Sequence, residues 1–388
     1  EGGGVVSVIH ADVLDALRAM PDNSFHGCLT DPPYGLSFMG HQWDHGVPSA
    51  EVWREVLRVL RPGAAMLAFG GTRTFHRLTC AIEDAGFEVR DCMMWLYGSG
   101  FPKSHDVSKA IDREAGAVRE VVGSKLGRPG YSLAVGPANA LYGKGIGGSG
   151  DPERETQITT PATEAARQWE GHGTALKPAW EPIILARKPL TGTIAQNVQR
   201  WGCGALAIDA SRVEGLAQKP GGKIRGKRGF DGTNDGPADK DAPEPNPLGR
   251  WPANVILDEE AGAALDAQTG NLHGAGYATD GKHCAGTKPS GGVIYGKRGA
   301  GPTPRFGDSG GASRFFYCAK ASRKERDAGV EGGSSHPCVK PLALTTYLAR
   351  LLLPPVEGSR LLVPFCGSGS EMLGGTRAGW SHVEGIDS

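Results

Sequence analysis

Short apolar runs that alternate with stretches of helical periodicity constrain the fold of this chain more than any other feature of its sequence. Residues 27–30 and 64–69 are unbroken apolar runs of strand length, whereas the apolar residues of 49–60 recur at helical spacing. The alternation continues through residues 74–97 and returns after residue 311. Strands that are apolar on both faces are typical of a parallel sheet that helices cover on both sides. The sequence therefore predicts an α/β fold with a Rossmann-like, mostly parallel sheet.

The expected elements form two groups, one near each end of the chain. The predicted strands are residues 5–10, 27–30, 64–69, 87–97, 180–188, 360–363 and 382–386, and residues 251–257 are a further regular island in the middle of the chain. The predicted helices are residues 13–18, 49–60, 74–85, 342–353 and 371–378. Residues 105–310 contain 36 of the 60 glycines, which predicts long irregular loops. We expect two halves of one domain, 1–104 and 311–388, separated by a loop-rich insertion at 105–310 that contributes a core strand near 180–188.

Composition argues against several classes of protein. The chain has 388 residues, 39% of them apolar, and can bury a large core. It contains no run of eighteen apolar residues, so no membrane span is predicted. None of the eight cysteines forms a Cys-x-x-Cys pair, so neither a zinc site nor a redox pair is predicted. The formal net charge of zero does not by itself favour a nucleic-acid partner.

The first candidate site is Asp31-Pro32-Pro33-Tyr34, directly after the strand predicted at residues 27–30. Ligands bind at the carboxyl ends of strands in open α/β sheets. The prolines lack amide donors, so nearby carbonyl groups can accept hydrogen bonds from an amine together with the Asp31 carboxylate. Tyr34 offers a ring on which a flat base can stack. Asp-Pro-Pro alone is more typical of an ordinary turn at the end of a strand. The Tyr-Gly that follows favours a site that orients an amine.

The second candidate site is the glycine turn Pro364-Phe365-Cys366-Gly367-Ser368-Gly369, between a predicted strand and a predicted helix. Glycines let a ligand approach the backbone closely, and a helix N-terminus presents free amides. Asp387 ends the next predicted strand, where an acidic residue can bind ribose hydroxyls. This combination predicts a nucleoside ligand. A third segment, residues 336–341 with Lys340, is in isolation more typical of a basic loop that caps a helix.

In this order, the three segments resemble the S-adenosylmethionine-dependent amino-methyltransferases of DNA. The resemblance is to the circularly permuted arrangement called the β class, and to its phage and prophage members. It covers residues 1–104 and 311–388, and the middle of the chain only in patches. It implies a catalytic half first, a target-recognition insertion second and a cofactor-binding half last.

The resemblance also implies a role for individual residues. The target amine and its base would be bound by the catalytic residues Asp31, Pro32, Pro33 and Tyr34. S-adenosylmethionine would be bound by Asp12, Lys340, Pro364, Phe365, Cys366, Gly367, Ser368, Gly369 and Asp387. Within this set, Asp12 would lie near the adenine of the cofactor, Asp387 would bind its ribose, and Lys340 would face its methionine carboxylate.

Two features depart from the family pattern. Val363 stands where the family has an Asp that helps to bind the charged methionine end of the cofactor. We therefore expect weakened cofactor binding, which Val363→Asp should restore. The chain also ends one residue after Asp387, where the family continues with a helix.

The implied reaction is direct methyl transfer to the exocyclic amine of a base flipped out of duplex DNA. The leading Asp31 of the motif favours N6 of adenine. N4 of cytosine is the alternative target. A further alternative is a DNA-binding relic, that is, a protein that still binds DNA but has weakened catalysis; Val363 is the reason to consider it. RNA or protein amines are more remote targets. Methylation of a ring carbon is disfavoured because the only Pro-Cys pair, residues 337–338, lies in the segment assigned to the cofactor.

Basic residues in the insertion are the candidates for contacts to DNA phosphates. They are Lys223, Arg225, Lys227, Arg228, Lys297 and Arg298. Solvated loops explain the same residues equally well. The expected partners are duplex DNA and, through the resemblance, a second copy of the chain, with no membrane. The expected location is the cytoplasm of a bacterial or phage-infected cell, in association with the nucleoid; a restriction partner is left open.

Overall fold

A single large sheet organises the structure. The computed structural model describes residues 4–36, 46–98, 102, 104–126, 155–215, 248–270, 272–273, 309–319 and 339–388. The nine strands of the sheet are, in their order across it, β1 (Val5–His10), β13 (His382–Asp387), β12 (Arg360–Pro364), β2 (Phe25–Thr30), β3 (Leu60–Phe69), β7 (Trp180–Arg187), β4 (Glu88–Leu96), β8 (Val255–Asp258) and β11 (Tyr317–Ala319). Two hairpin-like pairs lie outside it: β5 (Val121–Leu126) with β6 (Glu155–Thr159), and β9 (Leu272–His273) with β10 (Ser309–Gly310).

The sheet is parallel apart from one strand. The first five strands in spatial order, from β1 to β3, are parallel to their neighbours, and so are β4, β8 and β11. Strand β7 runs antiparallel to both β3 and β4. The mostly parallel sheet is therefore confirmed, as is a core strand at β7. The direction of β7 could not be predicted, because an apolar strand that is buried on both faces has the same pattern in either direction.

Helices cover both faces of the sheet, as expected. They are α1 (Val13–Ala19), α2 (Ala50–Val59), α3 (Phe75–Asp84), α4 (Val107–Glu114), α5 (Glu164–Gln168), α6 (Ile194–Trp201), α7 (Glu259–Thr269), α8 (Leu342–Leu352) and α9 (Ser370–Ala378). Helices α1, α2 and α3 bury Leu17, Trp53 and Ile82 in a core on one face. Helices α8 and α9 bury Leu348 and Met372 in a core on the other.

The order of the strands reverses between β12 and β2. From β12 the chain continues through α9 to β13 on one side, and from β2 it continues through α2 to β3 on the other. Because α9 and α2 lie on opposite faces, a crevice opens at the carboxyl ends of β12 and β2. The Thr30 hydroxyl donates a hydrogen bond to the Pro364 carbonyl oxygen at 2.7 Å, which joins these two strand ends.

The predicted elements agree with the structure to within a few residues, except at β3. That strand begins at Leu60, directly after α2, rather than at residue 64. Phe25 of β2 pairs with Leu60 of β3 and Gly27 pairs with Ala65, so β3 has extra residues between these pairs, where Pro62 and Gly63, at φ 80°, lie. The early start places Leu60, Met66 and Leu67 in one continuous buried strand.

The middle of the chain is partly built into the main sheet, through β7 and β8. A smaller unit of α4, α5 and the β5–β6 pair is linked through Asp112, which accepts hydrogen bonds from Ala162, Thr163 and Arg119. Most of the glycine-rich sequence, including the six basic candidates Lys223, Arg225, Lys227, Arg228, Lys297 and Arg298, lies outside the described residues. The assignment of this region to target recognition stays a prediction. No helix in the described ranges is long and apolar enough to cross a membrane.

We predict that Thr30→Val destabilises the protein by about 1 kcal/mol, because the mutation removes the hydroxyl that joins β2 to β12 while keeping the shape of the side chain. Urea unfolding followed by circular dichroism would measure the loss. Thr376→Val is the control, since its hydroxyl bonds only the Met372 carbonyl of its own helix. An equal loss in the two variants would contradict a special role for Thr30.

Candidate active site

The carboxyl ends of four parallel strands bring the predicted site residues together. Thr30, which precedes Asp31, bonds the end of β12. The Cys366 amide donates to the Ile386 carbonyl at 3.0 Å, which joins the glycine turn to the end of β13. The Ala11 amide donates to the Asp387 carbonyl at 3.1 Å, which joins β13 to the end of β1. Asp31, the glycine turn, Asp387 and Asp12 thus lie along one edge of the sheet.

The glycine turn has the backbone that close ligand approach requires. Gly367 and Gly369 have φ angles of 46° and 80°, and Phe365 has φ 59°, which is unusual for a residue with a side chain. Such strain is typical of functional sites. A Cβ atom at Gly367 or Gly369 would meet nothing within 4 Å among the described residues, and Gly367 and Ser368 are exposed. The turn therefore borders open space, and it leads directly into the N-terminus of α9, whereas Pro364 and Cys366 are buried beneath it.

The motif after β2 is organised by an ion pair that sequence reasoning did not predict. Lys340 Nζ lies 2.7 Å from Asp31 Oδ2, although the two residues are 309 positions apart in the chain. The Tyr34 hydroxyl donates to Asp31 Oδ1 at 2.7 Å and lies 3.1 Å from Lys340 Nζ. The side chains of Asp31 and Lys340 are 14% and 7% exposed, so most of this interaction is shielded from water.

A third segment completes the cluster through Glu181, at the start of β7. Glu181 Oε2 lies 3.5 Å from Lys340 Nζ and 3.3 Å from the Tyr34 hydroxyl. Burial and the negative charge of Glu181 raise the pKa of Tyr97 to about 12. Sequence reasoning missed Glu181, because a single acidic residue at the end of an apolar strand is an ordinary feature. Its one signal in the sequence is that it is the only charged residue in the run 180–186.

Lys340 remains charged although it is buried. Burial alone would lower its pKa, but the carboxylates of Asp31 and Glu181 raise that pKa above its ordinary value. The rings of Tyr34 and Phe69 also face the ammonium group, with centroids 5.4 Å and 4.9 Å from Nζ. The expected contact of Lys340 with a cofactor carboxylate stays a prediction, because the described partners of its ammonium group belong to the protein.

Glu371, the second residue of α9, is a further buried acid that sequence reasoning missed. It is 2% exposed, and burial together with the negative charge of Asp31 raises its pKa to about 7, although Lys340 opposes the shift. Acidic residues are common in the first turn of a helix, so the sequence offered no reason to single it out. The site therefore contains three carboxylates around one lysine among the described residues.

The remaining predicted residues have local structural roles that are compatible with a site. Asp12 is exposed and is the N-cap of α1, where its carboxylate accepts hydrogen bonds from the amides of Leu14 and Asp15. Asp387 is partly buried at the end of β13, and burial together with its charge raises the pKa of Cys366 to about 11. Residues 336–338 lie outside the described residues.

Val363, the departure from the family pattern, is fully buried in the core under α8 and α9. A carboxylate at this position would be surrounded by apolar side chains. In the described part of the chain, no group of three or more His, Cys, Asp and Glu residues could bind a metal ion.

This arrangement can orient an amine. Asp31 keeps lone pairs on both carboxylate oxygens beyond those used by Tyr34 and Lys340, and the Pro32-Pro33 backbone has no amide donors to compete for them. The neighbouring glycine turn and Asp387 offer backbone amides and a carboxylate to a nucleoside. An amine and a nucleoside-containing ligand could therefore meet at the switch point of the sheet.

Comparisons with known proteins give limited similarity. No protein-family model matches the chain. A type II methyltransferase, M.HindIII of Haemophilus influenzae, is 22% identical over 149 residues, which cover 27% of this chain and 48% of that protein. The chain thus spans about half the length of this curated relative.

Two solved structures are similar at low scores. The PvuII DNA methyltransferase, which is cytosine-N4-specific, has a TM-score of 0.41 at 11% identity and covers 99% of this chain and 82% of that one. The M1.HpyAVI–SAM complex has a TM-score of 0.36 at 12% identity, and the match covers 99% of this chain and 94% of that one. We therefore infer function from the residues of this chain.

We predict that Lys340→Met destabilises the protein by about 3–5 kcal/mol, because it leaves the Asp31 carboxylate half-buried without its counterion. Urea unfolding at pH 7 would measure the change. Asp31→Asn combined with Lys340→Met should cost less than the sum of the two single variants, since the pair is then removed together. Additive losses would contradict the pairing.

Proposed function

We propose that this chain is a methyltransferase that transfers a methyl group from S-adenosylmethionine to an exocyclic amine of a base in duplex DNA, with N6 of adenine as the target. The observation that carries this proposal is the position of Asp31 and Tyr34 next to the glycine turn, on two strand ends joined by the Thr30–Pro364 hydrogen bond at 2.7 Å. An amine-orienting motif and a nucleoside-binding turn are thereby neighbours.

The residues at the carboxyl ends of β1, β13 and β12 fit S-adenosylmethionine. Phe365, Gly367 and Gly369 form a turn with open space above it, and the N-terminus of α9 follows. Asp387 at the end of β13 suits the ribose hydroxyls, and Asp12 at the end of β1 suits the adenine side. Pro364, Cys366 and Ser368 complete the turn. The cofactor supplies a methyl group that its sulfonium already activates.

The protein's contribution to the reaction is to position the amine and to keep water away from it. Asp31 accepts a hydrogen bond from one N–H of the target amine, and the Pro32 carbonyl oxygen accepts the other. Two such bonds orient the nitrogen lone pair without a strong base. On methylation the nitrogen loses one N–H proton, and Asp31, which accepts that N–H, is placed to take the proton and pass it to the solvent. Lys340 and Tyr34 fix the rotation of the Asp31 carboxylate through contacts of 2.7 Å each. Positioning of this kind accounts for large rate enhancements when the electrophile is already activated.

A base inside a duplex cannot reach this edge, so the target base is flipped out of the helix. The Tyr34 ring replaces part of the stacking that the base loses. Tyr34 is only partly buried, and its ring packs against Gly71, where an added Cβ would come within 3.2 Å of Tyr34 Cδ2. Gly71 thus leaves room for the ring beside the motif.

Adenine is preferred over cytosine because the motif begins with Asp, which the family resemblance associates with adenine. The similarity to the type II methyltransferase M.HindIII supports a DNA methyltransferase and does not distinguish the two bases. N4 methylation of cytosine is the second candidate, since its amine has the same chemistry. A DNA-binding relic is the third, because Val363 replaces an acidic residue of the family.

The partner assignments are part of the same proposal. Duplex DNA would contact Lys223, Arg225, Lys227, Arg228, Lys297 and Arg298 of the insertion. A homodimer and a cytoplasmic, nucleoid-associated location follow from the resemblance alone.

The direct test of the reaction is product identification. The protein is incubated with S-adenosylmethionine labelled in its methyl group and with unmethylated duplex DNA, and the DNA is digested to nucleosides. We expect labelled N6-methyladenine. Labelled N4-methylcytosine would show that the target base is cytosine. Binding of DNA with no methyl label in the DNA would identify a catalytically inactive relic.

Asp31→Ala is predicted to lower methyl transfer by at least about 10²-fold, because the amine loses its acceptor, while cofactor binding changes little. Single-turnover kinetics and equilibrium titration with S-adenosylmethionine separate the two effects. Unchanged turnover would refute the catalytic assignment of Asp31.

Tyr34→Ala is predicted to weaken binding of the flipped base by about 1–3 kcal/mol, whereas Tyr34→Phe should retain the stacking. Fluorescence of 2-aminopurine at the target position reports the flipped state. Tyr34→Phe also removes the hydroxyl that contacts Asp31, so it should lower turnover more than base binding. Loss of the flipped state in both variants alike would contradict a stacking role.

A further inference from the structure

One buried acid in the candidate site has no part in orienting the amine. Glu371 is 2% exposed, and its Oε2 accepts a hydrogen bond from the Ser370 hydroxyl at 3.0 Å. Its other oxygen, Oε1, is buried and accepts no hydrogen bond of good geometry from the described residues. The backbone amide of Glu371 itself is close enough to the carboxyl to lower its pKa, but it leaves Oε1 without a full hydrogen bond. A buried carboxylate oxygen without a partner costs free energy, and such an atom in a native protein indicates a donor that is supplied from outside.

The surroundings of Glu371 place it at the junction of the glycine turn and the Lys340 segment. The Thr345 hydroxyl donates to the Ser370 carbonyl oxygen at 3.0 Å, and the Thr345 amide donates to the Pro341 carbonyl at 3.1 Å. These bonds pack the residue after Lys340 against the first turn of α9. Both Asp31 and Lys340 act electrostatically on the Glu371 carboxyl, so it lies near the ion pair. No described residue comes within 4 Å of the position that a Cβ of Gly369, two residues earlier, would take.

The charges around Glu371 favour the binding of a cationic group. Among the described residues, Lys340 is the one basic side chain of the cluster, whereas Asp31, Glu181 and Glu371 are acidic. The ammonium group of Lys340 already contacts Asp31 and Glu181. A ligand that brings its own cation would therefore relieve repulsion among the carboxylates and provide the donor that Oε1 lacks.

We propose that Glu371 binds the α-ammonium group of S-adenosylmethionine through Oε1, and so determines the affinity of this chain for the amino-acid end of its cofactor. This inference rests on the proposed function. S-adenosylmethionine carries two positive groups, but its sulfonium has no hydrogen to donate, whereas the ammonium has three N–H donors. The ammonium is therefore the group that completes the bonding of Oε1.

Binding of an ammonium group has a protonation consequence. Burial and the negative charge of Asp31 raise the pKa of Glu371 to about 7, so its carboxyl ionises less readily than that of an ordinary glutamate. A bound cation lowers that pKa, so the carboxyl ionises and its proton passes to the solvent. The other titratable groups that face Glu371 are Asp31, Lys340 and Cys366. Glu371→Gln removes the titrating group and keeps the side chains of Asp31, Lys340 and Cys366.

Two nucleosides distinguish this role from a merely structural one. S-adenosylhomocysteine carries the α-amino acid group, and 5′-methylthioadenosine lacks it. In calorimetric titrations of the full chain at pH 7, Glu371→Gln is expected to weaken S-adenosylhomocysteine binding roughly tenfold to a hundredfold, the effect of losing one charge-assisted hydrogen bond. Binding of 5′-methylthioadenosine should be unchanged, which also shows that the variant is folded. Glu83→Gln, an exposed acid on α3, is the matched control and should alter neither affinity.

Proton release provides a second measurement. Titration with S-adenosylhomocysteine in buffers of different ionisation enthalpy should show release of a fraction of a proton from the wild type, and a smaller release from Glu371→Gln. An equal loss of affinity for both nucleosides, or no loss for either, would overturn the assignment of Glu371 and leave the proposed function intact. A wild-type chain that binds neither nucleoside would overturn the proposed function as well.

Discussion

A single buried ammonium group connects the segments on which the site depends. Lys340 lies before α8, Asp31 follows β2 and Glu181 is the second residue of β7. Carboxylate oxygens of Asp31 and Glu181 lie 2.7 Å and 3.5 Å from Lys340 Nζ. Neither Asp31 nor Lys340 is exposed enough to be solvated alone, so each requires the other. The pair also fixes Tyr34, whose hydroxyl contacts both members. The geometry of the amine-orienting motif is therefore set by residues far from it in the chain.

The parallel sheet determines why the remaining parts of the site are close to this pair. Parallel strands have their carboxyl ends at one edge, and the reversal of strand order between β12 and β2 opens a crevice there. The glycine turn leaves β12 at this crevice, and Asp387 and Asp12 follow at the ends of β13 and β1. Strand pairing thus places the glycine turn beside the Asp31 motif, although the two are far apart in the chain.

The electrostatics of the site are consistent with a positively charged cofactor. Glu371 keeps a raised pKa because it is buried near Asp31, and Lys340 offsets only part of that repulsion. An apolar Val363 beneath the turn contributes no charge, so the acidic character of the cofactor side comes from the first turn of α9 rather than from the end of β12. Replacing Val363 by Asp would bury a carboxylate in an apolar core, which opposes the tighter binding expected from the family pattern.

The sequence by itself determined most strands of the main sheet, the helices near the two ends of the chain and the residues whose chemistry is local. Unbroken apolar runs predicted β2, β3 and β12, and the order of Asp31, Lys340 and Gly367 along the chain indicated their likeness to amino-methyltransferases. Only the tertiary structure decided that β7 is antiparallel, that Lys340 pairs with Asp31, and that Glu181 and Glu371 join them. The physical reason is that periodicity reports which side of an element is buried, whereas ion pairs and pKa shifts depend on which buried surfaces meet.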